Sequence, residues 1–144
     1  MKRCFPCNLA LALFLILAVH AWAEITSAYF TYLWMDMPMH FAGGAWIASA
    51  AYYFFFLRGS SYKISISGWI GVLFLVGVSV IVGVWWEFFE FSVDYLFVHR
   101  FGGLAIQGGL ADTLSDLFFD FTGGFLMSAY LLYAQKSFNS GDDS

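Results

Sequence analysis

Four apolar stretches decide what this chain can become. They run from Leu9 to Ala23, Met39 to Leu57, Ile66 to Trp86 and Leu117 to Ala134. Each approaches the ~20 residues a helix needs to cross a hydrocarbon core. Hydrophobic residues make up 61% of the 144 and charged ones only 11%. A soluble domain of this size cannot hide so much apolar surface behind so few charges. The chain therefore reads as an all-α, multi-pass membrane helical bundle of about four transmembrane helices. It forms a single domain over residues 1–136, with a short polar tail at 137–144.

The first stretch is the shortest. "MKR", an apolar segment and "AWA" before Glu24 also have the shape of a secretory signal with a small-x-small cleavage site. We read it as a retained span, with cleavage as the alternative. With Lys2 and Arg3 inside, Arg58, Lys63 and Lys136 also fall inside, and Arg100 alone is outside. That satisfies the positive-inside tendency and makes both termini cytoplasmic if the first span is kept. Cys4 and Cys7 form a lone C-x-x-C with no second pair, which reads as incidental. No basic patch or nucleic-acid motif is present, so the expected surroundings are membrane lipids.

The acids are unevenly placed. Asp36, Glu87, Glu90, Asp94, Asp112, Asp116 and Asp120 account for seven of the ten, and all flank or enter spans two to four at their outer ends. On the helical rise, Asp120 stands about 24 Å and Glu90 about 40 Å above the inner anchors of their spans. The levels overlap, so three helices can point these groups into one outward-facing cavity.

In "DMPMHFAGG", Asp36 and His40 are four apart and share a helical face. Pro38 suits a first turn, which makes Asp36 a candidate N-cap. In "WWEFFEFSVDY", Glu87, Glu90 and Asp94 lie on one stripe. Asp94 reads as the solvated end of an emerging helix. Glu87 and Glu90 sit among aromatics near that C-terminal end, where the helix dipole opposes them and something must compensate. In "ADTLSDLFFDFTGG", Asp112 can cap the helix, whereas Asp120 is two turns inside it. An ionised acid at mid-membrane costs roughly 2.5–3.5 kcal/mol, so Asp120 needs a partner, a cavity or a proton.

Basic partners are few: His40, and His99 with Arg100 in the outer loop. Either several acids stay protonated through repulsion and desolvation, or a divalent metal supplies the missing charge. Oxygen ligands with one imidazole suit Mg²⁺, Mn²⁺ or Zn²⁺. The candidate metal ligands are Asp36, His40, Glu87, Glu90, Asp112, Asp116 and Asp120. The candidate catalytic residues are Glu87, Glu90 and His40, with one glutamate as general base. Gly43–Gly44 and Gly123–Gly124 are expected to draw spans two and four together beside His40 and Asp120. The loop "FGGLAIQGGL" reads as an ordinary connection, with a gate as the alternative.

These motifs resemble the VanZ-like and YjdF-like families of small bacterial inner-membrane proteins. Asp36, His40 and Phe41 match an early D-x-x-x-H-F, Glu87 and Glu90 a central E-x-x-[EQ], and Asp116 and Gly123 a late D-x-x-x-N-x-x-G. Asp112 and Thr113 fall in a D-T-x-x-D like that of YjdF-like proteins. Asp120 departs from the pattern, standing where VanZ-like proteins usually carry Asn. The resemblance implies a bacterial cell-envelope protein of the inner membrane and brings no mechanism with it.

Three functions follow as expectations. The first is a cation-binding Asp/Glu/His site that acts on or recognises an envelope component. As an enzyme, it would be a metal-assisted hydrolase or transferase on a lipid-linked or phosphorylated substrate. The second is a proton- or cation-coupled transporter, weakened by the lack of acids in the inner half. The third is a non-catalytic assembly or stress-tolerance factor.

Overall fold

In the computed structural model, residues 4–58, 68–103 and 105–141 are described, with side chains as far as Ala134. Lys2, Arg3, Lys63 and the Lys136 side chain, four of the five inner anchors, lie outside that range, as does the start of the third stretch at Ile66. All regular elements among the described residues are helices. They are α1 (Phe5–Ile25), α2 (Ala28–Thr31), α3 (Asp36–Tyr52), α4 (Trp69–Val93), α5 (His99–Phe101) and α6 (Leu110–Gly141).

Three helical segments are long and apolar enough to cross a membrane: Phe5–Ile25, Trp69–Phe101 and Leu110–Ala134. The stretch expected as span two is divided. Its α-helical part, α3, has 17 residues and is carried on to Leu57 by a π-helical turn at Tyr53–Leu57. The combined segment reaches roughly 30 Å, about one hydrocarbon core.

Several helix ends lie beyond the apolar stretches, and two of these differences bear on the site. The helix that begins as α4 does not stop at Trp86: it continues through a π-turn, Asp94–Val98, into α5. Glu87 and Glu90 are therefore interior to a long helix, and the dipole penalty of a C-terminal position does not apply to them. At the other side, α6 starts at Leu110 rather than Leu117, so Asp112 and Asp116 belong to its first two turns. Hydropathy drops at each cluster of acids, which is why both ends were drawn too tight.

The core is α3, α4 and α6. The closest packing is between α3 and α6, which run in the same direction and cross where a side chain has no room. A Cβ on Gly44 would meet the Asp120 backbone oxygen, and one on Gly123 the Phe41 backbone oxygen. Helix α4 runs opposite to both. A Cβ on Gly124 would lie 2.8 Å from Ser79, whose hydroxyl donates to the Gly44 carbonyl at 3.1 Å. The expected drawing together of α3 and α6 thus holds for Gly44 and Gly123, whereas Gly124 packs chiefly on Ser79 of α4. Gly43 has nothing within 4 Å of its Cβ direction.

Helix α1 is peripheral. It is fastened to the π-turn after α3 by Phe5 stacking on Tyr53 at 5.9 Å and to α3 itself by the Trp46 indole donating to the Leu9 carbonyl at 2.9 Å. It meets α4 through an edge contact of His20 with Trp86 at 5.8 Å. The buried apolar cluster, Ala51, Tyr52, Leu75 and Leu131, occupies one end of the bundle. The acids occupy the other.

Candidate functional site

His40 is the hinge of the acidic end. The i, i+4 spacing along α3 sets Asp36 Oδ1 3.6 Å from His40 Nε2. The α3–α6 crossing brings Asp120 Oδ2 to 3.2 Å from Nδ1. Asp36 is the first helical residue of α3, with Met35 at the cap position, so it is not the N-cap its place beside Pro38 suggested. A Cβ on Gly83 of α4 would strike Asp120 Oδ2, so that glycine clears the space the carboxylate fills. An imidazole hydrogen-bonded at Nδ1 and with a second carboxylate 3.6 Å from Nε2 is fixed in orientation, and its Nε2 is left for a further ligand.

Asp116 completes a smaller group. One ligand atom from each of Asp36, His40 and Asp116 lies within 4.8 Å of the others, close enough to share one metal ion. Asp116 is 1% exposed, and neither of its carboxylate oxygens has a hydrogen-bond partner among the described residues. A carboxylate in that condition is costly unless a cation or a proton accompanies it.

The other acids are placed differently. Glu87 is buried with Oε2 accepting from the Thr113 hydroxyl at 2.7 Å, while its Oε1 has no partner among the described residues. Glu90 is buried too, and its Oε1 accepts from the Trp86 indole at 2.7 Å. Asp112 accepts the Gly108 backbone N–H at 2.9 Å and so closes the turn into α6. Of the seven candidate ligands, Asp36, His40 and Asp116 form the shared group, and Asp120 backs it through Nδ1. Glu87, Glu90 and Asp112 each have a separate partner nearby.

Asp94 is a correction. It is 8% exposed rather than the most solvated acid. Its two carboxylate oxygens accept the backbone N–H groups of Ile106 and Gln107, each at 2.9 Å. The Gln107 amide in turn donates to the Thr113 hydroxyl at 3.3 Å. The glycine-rich loop is thereby tied to α4 and α6 and lies over the acidic end.

A cavity of about 660 Å³ opens beside this group. Asp36, His40, Asp120, Glu90 and Asp112 line its polar side, with Glu24, His20 and Tyr29 across from them. Leu13, Ile16, Leu17 and Val82 line its apolar side. The volume and the apolar walls with few polar groups fit a small-molecule site. Sequence reasoning missed Glu24, His20 and Tyr29. His20 Nδ1 and the Tyr29 hydroxyl are hydrogen-bonded at 2.9 Å, and burial pushes the Tyr29 phenol up, with Asp36, Glu24 and Glu90 adding to the effect. Position was the available signal: all three precede span two at the level of Asp36.

The fold and its acidic end define the class, an integral membrane protein made of helices with a polar centre near one face. The chain belongs to the family described as "Predicted membrane protein (DUF2238)", whose model matches residues 1–137. No curated protein and no solved structure matches the chain in the corresponding searches.

Proposed function

We propose that this is a bacterial inner-membrane protein whose Asp36, His40 and Asp116 hold a divalent cation. The site faces outward and serves to act on or recognise a component of the cell envelope. One observation carries the reading: the deeply buried Asp116 carboxylate has no donor on either oxygen among the described residues and lies beside His40 and Asp36. A divalent ion supplies both the missing charge and the missing contacts. His40 would bind it through Nε2 while Nδ1–H donates to Asp120, the usual way a second carboxylate orients a ligating histidine. Oxygen and imidazole donors admit Mg²⁺, Mn²⁺ or Zn²⁺. Glu90 lines the cavity next to this group and is the carboxylate placed to exchange a proton with a bound molecule. The resemblance of the Asp36/His40/Phe41 and Glu87/Glu90 elements to VanZ-like and YjdF-like proteins supports the envelope setting.

The test is the metal content of purified full-length protein after exposure to each ion and desalting, read by elemental mass spectrometry. One ion per chain is expected, with occupancy lost in Asp116→Asn and His40→Ala and kept in Asp94→Asn. Substoichiometric metal for all three ions, or unchanged occupancy in the two ligand variants, overturns the reading.

A further inference from the structure

The cavity has a shape and a charge that the cation alone does not account for. It lies between α1 and α4, two helices of membrane-crossing length, and α1 packs chiefly on α3 and α2 instead of on α4. Leu17 on α1 and Val82 on α4 both line the cavity and remain 53% and 40% exposed on the bundle surface. Residues that face both the cavity and the outside mark its openings: Leu17 and Val82 mark one that opens sideways, where the acyl chains of a bilayer lie, and the exposed Glu24 and Leu33 mark another at the acidic end.

The polar end of the same cavity is strongly one-signed. Glu24, Asp36, Glu90, Asp112 and Asp120 line it, and among the described residues no lysine or arginine does. Beneath them Asp116 adds a buried carboxylate with no partner. One divalent ion at Asp36, His40 and Asp116 offsets two of these charges and leaves Glu24 and Glu90 without a cation. Both lie near Tyr29, and Glu90 accepts the Trp86 indole N–H; both aromatic residues line the cavity as well. Carboxylates beside aromatic faces are the usual surroundings of a bound ammonium group. A phosphate monoester, with no ammonium beside it, would be repelled by these carboxylates.

We propose that the cavity takes a lipid of the surrounding bilayer with an ammonium head group, entering sideways between α1 and α4. The head sits among Glu24, Glu90, Tyr29 and Trp86, and the chain leaves along Leu13, Leu17 and Val82. This goes beyond the cation reading and does not rest on it, because the head group occupies the part of the cavity that the cation leaves.

Full-length protein in a sugar-headed detergent, titrated with dodecylamine, dodecyl phosphate and dodecanol at neutral pH, tests this by native mass spectrometry. One dodecylamine per chain is expected, bound at least tenfold more tightly than the other two. Glu24→Gln, at the exposed mouth, should weaken it about fivefold, the upper end for a screened charge pair. The double variant Leu17→Trp/Val82→Trp should abolish the preference by filling the slot. Equal uptake of the three probes, a preference for dodecyl phosphate, or indifference to Glu24→Gln overturns the proposal, and the last does so even if the double variant fails to fold. Metal content measured on the same samples separates the two readings. Metal without amine binding removes this one alone, and amine binding by metal-free protein upholds it while removing the other.

Discussion

A carboxylate buried as deeply as Asp116, with no donor on either oxygen, costs about 1–3 kcal/mol or more in an otherwise satisfied core. That sets up a crossing in stability. In excess chelator, Asp116→Asn should unfold later than the unaltered protein, by about 1–3 kcal/mol, because the unpaired charge is gone. In saturating metal the order should reverse, since the variant cannot recover the binding energy. Thermal unfolding with and without chelator reads both. A variant that is less stable under both conditions would mean that Asp116 is held by the protein itself. At this scale the sequence was informative where spacing fixes a face. Asp36 with His40, and Asp116 with Asp120, could be paired from intervals of four. It was silent where a contact depends on another element's path. Nothing about residue 94 announces that a loop twelve residues on will return to it, and Gly83 looks like any small residue until Asp120 is seen filling its space.

Between elements, two adjacent glycines make opposite demands. Gly44 faces the α3–α6 crossing, where a Cβ would collide with backbone that cannot swing aside. Gly44→Ala should therefore destabilise by about 1–3 kcal/mol, as overpacking does. Gly43→Ala should be neutral or stabilise by up to about 1 kcal/mol, the gain of helix propensity. Melting temperatures of the two variants in the same detergent decide it, and equal effects would contradict the crossing. The loop makes a separate prediction. Asp94→Ala removes two charge-assisted bonds to backbone amides, so the Ile106 and Gln107 amides should exchange with deuterium at least tenfold faster, while amides of the α3–α6 crossing keep their rates. Exchange measured by mass spectrometry on peptides covering the loop checks this. The helices themselves were legible as apolar runs. Their ends were not, because a hydropathy reading stops at a cluster of acids, whereas a helix continues through them when a cavity and neighbouring donors accommodate the charges. Trp69–Phe101 is the case in point.

For the molecule as a whole, polarity along the bundle axis is the organising fact. Apolar packing around Leu75 and Leu131 holds one end, and the carboxylates and the cavity hold the other. The start of α1 belongs to the apolar end, since Phe5 stacks on Tyr53 and contacts Tyr52. The two cysteines just before and within that first turn are both free and exposed. Leu33, between α2 and α3, is 79% exposed at the acidic end. If the acidic end faces outward, as the distribution of lysine and arginine argues, these positions lie on opposite sides of the membrane. A membrane-impermeant maleimide should then leave Cys4 and Cys7 unlabelled in intact spheroplasts and label them after permeabilisation. In a variant lacking both cysteines, Leu33→Cys should label without permeabilisation. Labelling of Cys4 and Cys7 from outside would invert the orientation and turn the cavity toward the cytoplasm, where an envelope component could not reach it. Loss of both cysteines from the mature chain would show that the first stretch is removed after export. The cavity would then lose its α1 wall, including Leu13, Leu17 and His20. The labelling pattern therefore bears on more than topology: it decides whether the space beside His40 is an enclosed site or an open groove.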